Sequence, residues 1–357
     1  MWFNYIVKLI ANNKNVKLAG RITNELIIMK KLIVWMVVIA LLFSIVYVFS
    51  SLANIFNGYA AKEVCSCVFV EGRDQAEIEE VDLNSFFVRL PTNIVDIQNR
   101  TVTSSFFGMS TKTAVYRDGL GCTLVNDAKI EDVKKQSYRP EVLGYDADTV
   151  LWPNGDKMRD TVIAKIDKIA LEKAIDDALA QGNSRAILVA YDTLFVAEAY
   201  ADGFDKDSRL LGWSMTKSIM SSLIGILVKQ GKLQLDGPTL IHEWSNDQRN
   251  TIELKNLLQM SSGLKWEEDY GKISDATIML FDKSDAAKYA ISRPMDYPID
   301  SVWNYSSGTS NILAEIIKRS CNSQDEYLNF PQKELFNKLG MSSMLLETDA
   351  SGTFVGS

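Results

Sequence analysis

"GWSMTKSIMSSLIGILVKQGKLQLD", residues 212–236, is the stretch whose reading decides the fold. Ile219, Met220, Leu223, Ile224, Ile226, Leu227 and Val228 recur at helical spacing, so most of it predicts one buried helix. The first turn holds Ser214 and, three residues on, Lys217. Positions i and i+3 of a helix share a face, so both side chains point the same way at the helix N-terminus. A serine hydroxyl needs a base to become a nucleophile. Histidine is the usual base, but the chain has one histidine, His242 in "LIHEWSND", reachable only by a long fold-back. "GWSMT" also lacks the second glycine of a G-x-S-x-G elbow. Lysine can serve instead when burial and a helix N-terminus lower its pKa, by up to about 3–5 units for full burial. A neutral amine beside a serine hydroxyl is a base in place. The bland reading of Ser214 is an ordinary helix cap. The S-x-x-K spacing recurs at Ser262 and Lys265, but Gly263 interrupts it and no helical period follows, so that match reads as chance.

Working outward, "DKIALEKAIDDALAQG" predicts a helix with Ile169, Leu171, Ala174, Ile175 and Leu179 on one face, closed by Gly182. "RAILVAYDTLFVAEAYADG" predicts a hairpin joined around Asp192-Thr193. A further helix over Asn311–Arg319 follows "NYSSGTS". Tyr305 stands in the turn before it, where a phenol can project into a cleft and relay a proton near a lysine. Read without that role, it is a surface or core aromatic. "LWPNGD", Leu151–Asp156, is a breaker and a plausible domain boundary. Between residues 54 and 150, "CSCVFVEGRD", "SFFVRLP", "NIVDIQNRTVTSSFFGM" and "KTAVYRDGL" predict short strands, a β-rich extension.

Residues 32–53, "LIVWMVVIALLFSIVYVFSSLA", carry no charge over 22 residues, enough to span a bilayer core of roughly 30 Å. The flank before them holds Lys8, Lys14, Lys17, Arg21, Lys30 and Lys31 against Glu25 alone. Positive charge stays inside, so residues 1–31 read as cytoplasmic and the chain after Ala53 as extracytoplasmic. That makes a single-pass protein of the bacterial inner membrane with a periplasmic domain; the other reading is a cleaved signal starting at Met29. An oxidising compartment permits Cys122 to pair with Cys65 or Cys67, and four free thiols remain the other possibility.

The chain has 357 residues, 47% of them hydrophobic and 23% charged, which suits one large or two smaller folded domains. A net charge of −7 excludes the basic footprint of a nucleic-acid binder. With one histidine there is no cysteine–histidine cluster for a metal, and no cofactor is expected.

"SMTKS", "LQLDGP", "LKNLLQMSSGLKWEEDY", "YSSGTSNIL" and "ETDASGTFVGS" stand in one order from about Ala164 onward. In this the chain resembles the serine hydrolases related to class C β-lactamases and penicillin-binding proteins, in the branch with 6-aminohexanoate-dimer hydrolases and esterases. The resemblance implies an α+β, β-lactamase/transpeptidase-like fold over residues 151–357. It implies Ser214 as acylated nucleophile, Lys217 as base and Tyr305 as the phenol serving Ser214 and the leaving group. Ser307 takes the place of the asparagine in the usual Y-x-N, a substrate-binding position, and Tyr270 either lines the cleft or packs in its loop. "MSSGL" would be a structural turn behind the site. No K-T-G or H-x-G strand precedes Ser357, so the expectation is a domain truncated before its third motif. The expected substrate is a small amide, ester or peptide. An acylated sensor for β-lactam-like ligands and an inactive truncated scaffold are the rival readings.

Overall fold

The computed structural model describes residues 2–141, 144, 147–158, 165–182 and 184–357; the side chains of the basic flank, 3–28, lie outside that description, as do that of Ile45 and the start of the resemblance at Ala164. The chain divides into two units, Met1–Leu52 and Ala53–Ser357. The first unit's described residues are helical, part of α1 (Trp2–Ser66), and the apolar side chains Leu32, Trp35, Phe43 and Tyr47 are exposed. By length and composition this is the one described helix able to cross a membrane.

In the second unit α1 continues to Ser66 and closes in a π-turn, Cys67–Glu71, at Gly72. The strand expected at "CSCVFVEGRD" is therefore helical. Asn57, Ala60, Ala61 and Val64 are buried at positions i, i+3, i+4 and i+7, a helical face that small alanines disguise in the sequence. "SFFVRLP" likewise forms turns, not a strand. After α2 (Gln75–Val81) come β1 (Thr92–Asp96), β2 (Thr101–Phe106), β3 (Met109–Arg117) and β4 (Gly121–Leu124), an antiparallel sheet in sequential order. Cys65 at the end of α1 is bonded to Cys122 on β4, with Cα atoms 6.0 Å apart, which answers the pairing question; Cys67 and Cys321 are free thiols.

The sheet is tied to the last residues of the chain. The Glu347 carboxylate accepts from Cys122 N (2.7 Å) and Ser66 Oγ (3.0 Å) and pairs with Lys62. Arg117 donates to the carbonyl of Thr348 at 2.6 Å. Residues on either side of the 151–156 breaker thus belong to one compact unit.

Glu63, next to Lys62 on α1, is buried, and among the described residues its Oε2 lacks a hydrogen-bond partner. Burial pushes its carboxyl up to about 7; Lys62 opposes the shift and Asp82 and Glu71 add to it. An unfolded glutamate ionises near pH ~4.3. Between those values the folded chain holds a proton that the unfolded chain has lost, so stability falls as pH rises towards 7 and stays lower above it. Glu63→Gln is expected to raise the Tm at pH 8, by a stabilisation on the order of 3–4 kcal/mol, and to leave it near wild type at pH 4–5. Thermal melts of both proteins across pH check this; an equal shift at both ends of the range contradicts it.

Beyond α3 (Ile130–Lys134), α4 (Lys168–Leu179) is capped by Asp167, whose side chain accepts from Ala170 N at 3.1 Å. Gly182 takes φ +73 just past its end, as the sequence implies. Leu171, Ile175 and Leu179 of its apolar stripe are half-buried while Ile169 is 80% exposed, so the stripe is only partly covered. β5 (Ala186–Tyr191) and β6 (Leu194–Tyr200) form the expected hairpin, with Asp192 and Thr193 both at positive φ.

The large core is built on α5 (Thr216–Lys229), which buries Met220, Leu223, Ile224 and Leu227. It is completed by α6 (Leu254–Leu258), α7 (Asp275–Asp282), α8 (Ala286–Ile291) and α9 (Ser307–Arg319). Ile312, Leu313, Ile316 and Ile317 of α9 pack in the same cluster, and Trp244 is sealed beneath with its Nε1 donating to Ile291 O. The packing of α5 with α9 brings their N-termini together.

Candidate active site

Ser214 lies in a 3-10 turn, Trp213–Met215, that runs into α5. Trp213 precedes it at φ +41, a left-handed conformation costly for a bulky residue. Two residues from before the breaker brace that turn. Tyr59 stacks on the Trp213 ring (6.1 Å, 6° between planes), and Glu71 accepts from Leu211 N at 2.8 Å. The spacing of three residues then does what the sequence implies: Lys217 Nζ is 2.9 Å from Ser214 Oγ.

The second wall is the start of α9. Ser306 caps it, its hydroxyl accepting from Thr309 N at 2.9 Å. Ser307 is fully buried, and its Oγ accepts from Lys217 Nζ at 3.0 Å. Lys217 Nζ lies 4.8 Å above the Tyr305 ring centroid. Tyr305 therefore meets Lys217 through its ring face; no hydrogen bond joins its hydroxyl to Ser214 or Lys217 among the described residues. The expected phenol contact is thus replaced by contact with the ring face.

Behind Ser307 stands Glu268, which sequence reasoning missed. Its Oε2 accepts from Ser307 N (2.8 Å) and Trp266 Nε1 (2.5 Å), and its Oε1 from Ser307 Oγ (2.5 Å) and Tyr270 OH (2.6 Å). Four donors thus converge on one carboxylate at a helix N-terminus, where negative charge is favoured. Tyr270 Oη also lies 3.2 Å from Ser307 Oγ. Since Glu268 takes the single proton of each hydroxyl, that contact is one of proximity. Burial, and next the hydrogen bond to Glu268, push the Tyr270 phenol well above its ordinary pKa, so it stays a donor. The available signal for Glu268 was the alternation Trp266, Glu268, Tyr270: in an extended segment, residues two apart share a face.

The serine at 307, expected to touch substrate, is instead committed to Lys217 and Glu268. Tyr270, by contrast, is half exposed beside it. "MSSGL" is the structural turn expected: Met260 O accepts from Asn304 N at 2.9 Å, and Gly263 takes φ +76 where a Cβ would lie 2.2 Å from Tyr297 O. Gly308 has a similar reason, since a Cβ there would strike the Trp266 ring at 2.4 Å. Ser262 is buried and Lys265 exposed, so the second S-x-x-K does not form a pair. His242 is exposed on a separate 3-10 turn and makes no hydrogen bond to Ser214 among the described residues. No group of acidic, cysteine or histidine side chains suited to a metal occurs among the described residues.

The family model for beta-lactamase matches residues 171–355, more than half of the chain and the part that holds Ser214, Lys217, Glu268, Tyr305 and Ser307. The chain belongs to the beta-lactamase family. Residues 171–355 have the β-lactamase-like fold, and the family is one of serine hydrolases. Among solved structures, the chain is similar to a candidate 6-aminohexanoate-dimer hydrolase from Bacillus anthracis, with 17% identity, a TM-score of 0.45, and 51% of this chain and 52% of that one covered. It is also similar to a candidate beta-lactamase from Bacteroides dorei, with 19% identity, a TM-score of 0.38, and 49% and 52% covered. The chain thus spans about half the length of the solved structures it matches. The sheet β1–β4 lies outside the family match.

Proposed function

We propose that this β-lactamase-family chain is a serine hydrolase that cleaves a small amide, ester or peptide through an acyl-enzyme on Ser214. The observation that carries the reading is the 2.9 Å contact between Ser214 Oγ and Lys217 Nζ at the start of α5, with Ser307 on the far side of the same amine. A neutral amine has one lone pair and two N–H donors. The lone pair takes the Ser214 proton as Oγ bonds to the substrate carbonyl carbon, while an N–H stays on Ser307. The resulting ammonium is held by Ser307 and by the Tyr305 ring face, then gives the proton to the leaving nitrogen or oxygen. Water next attacks the acyl ester, losing its proton to the same amine; the bond to Ser214 Oγ then breaks, the amine returns that proton to Oγ, and the acid leaves. Tyr270, half exposed and fixed by Glu268, is placed to donate to substrate.

In this reading residues 32–53 span the bacterial inner membrane once, residues 1–31 are cytoplasmic, and the Ala53–Ser357 unit is periplasmic. The exposed apolar helix, the basic flank before it and the Cys65–Cys122 bond all support that placement. Stopped-flow hydrolysis of a p-nitrophenyl ester tests the chemistry. The expected result is a burst of nitrophenol, stoichiometric with protein, followed by steady turnover, both lost in Ser214→Ala. A burst with no turnover would instead mark an acylated sensor, and neither burst nor turnover would mark an inactive scaffold.

A further inference from the structure

Two aromatic clusters outside the family match flank a single turn of α1. Phe87 stacks on Phe56 (5.1 Å, 5° between planes), and Phe86 meets Phe87 edge-on at 5.2 Å. On the next residue, Asn57 Nδ2 donates to the carbonyls of Ser110 (2.7 Å) and Met109 (3.3 Å). Those carbonyls belong to the β2–β3 hairpin, so its tip, Phe106-Phe107-Gly108-Met109, is fixed to the same turn of helix. Neither cluster covers its own apolar surface: Phe107 is 85% exposed, Phe86 70%, Met109 55% and Phe87 51%. Arg89, also exposed, follows Phe86-Phe87 in the same loop. Phe56 and Asn57 come three and four residues after Ala53 on an unbroken helix, about 5–6 Å of rise beyond the charge-free run. A water-facing domain does not keep four large apolar side chains open together without a partner. Aromatic side chains with an adjacent arginine suit the headgroup layer, where ring and hydrocarbon meet lipid and the cation meets phosphate.

We propose that Phe86-Phe87 and the Phe107–Met109 tip rest in the headgroup layer of the phospholipid bilayer that residues 32–53 enter. The proposal rests on the membrane-spanning reading of that segment. The clusters then serve as a second contact between the periplasmic unit and the bilayer.

Site-directed spin labelling of the full chain in phosphatidylethanolamine/phosphatidylglycerol vesicles tests it, in a Cys321→Ser background that leaves Cys67 buried and Cys65–Cys122 bonded. Nitroxides are placed singly through Phe107→Cys, Val38→Cys and Gln248→Cys, the last an exposed position in the hydrolase region. Collision with a water-soluble nickel chelate is compared with collision with oxygen. The expected result is nickel collision at 107 several-fold below that at 248, though above that at 38. Nickel collision at 107 equal to that at 248, with 38 shielded, overturns the proposal and leaves the span standing. Nickel access at 38 overturns the span reading, and the proposal with it. Dipolar broadening between labels at 107 overturns lipid as the occupant and assigns the tip to a second copy of the chain.

Discussion

Lys217→Ala is expected to slow labelling of Ser214 by a fluorophosphonate on the order of 10³-fold, the scale of a lost general base. The lysine is the side chain that meets Ser214 Oγ, at 2.9 Å, and removing the amine leaves the serine proton without an adjacent acceptor. Lys217→Arg should do no better, because a guanidinium stays protonated and has no lone pair to offer. His242→Ala should label at the wild-type rate, since His242 lies exposed on another element. Ser262→Ala should as well, its hydroxyl being turned to a backbone N–H in the core. Rate constants for labelling across these four variants check the assignment. Silence in His242→Ala, or full reactivity in Lys217→Ala, would contradict a lysine base.

Glu268→Gln should cost about 10²-fold in the acylation rate, the scale expected when a reacting group is displaced by roughly an ångström. The carboxylate now accepts from Trp266, Tyr270 and both polar groups of Ser307. An amide replaces one acceptor oxygen by a donor, so at least one of those donors faces another donor and Ser307 loses its alignment. Lys217 then loses the acceptor that holds its Nζ against Ser214. Ser307→Ala should reproduce part of the loss, and the double variant should fall well short of the sum because both act through one network. If Glu268→Gln and Ser307→Ala add independently, the carboxylate does not work through Ser307.

The Ser214–Lys217 pair was legible in the sequence because it is local: three residues on a helix fix a face whatever the rest of the chain does. So was the α5 core, and so was the β5–β6 hairpin, whose two-residue Asp192-Thr193 turn is a local signal. The arrangement of Ser307, Glu268 and Tyr270 was not. Ser307 stands 90 residues from Lys217 and 39 from Glu268, and nothing local to any of them names the other. Ser307 looked like a weakened substrate contact because an asparagine usually stands there. Its burial shows a hydroxyl spent on the lysine instead. Tyr305 illustrates a different limit: its place beside Lys217 follows from the turn, but whether ring face or hydroxyl meets the amine depends on a rotamer that packing selects.

The region before the breaker was the least legible. The last turns of α1 read as strand because "CSCVFVEG" is rich in β-formers, while the deciding pattern lies in the two alanines Ala60 and Ala61 and in Asn57 just upstream. Its bearing on the site was not visible either, since it acts through two long-range contacts, Tyr59 on Trp213 and Glu71 on Leu211 N. Together they hold a left-handed tryptophan directly before the serine.

The most direct test of the account is to locate the acyl group formed in the ester burst. The protein is quenched in acid during the burst, digested with trypsin and mapped by mass. The account predicts the added acyl mass on Ser214 within the peptide Leu210–Lys217, and unmodified peptide in Ser214→Ala. An acyl group found on another residue while the Leu210–Lys217 peptide stays unmodified would contradict it.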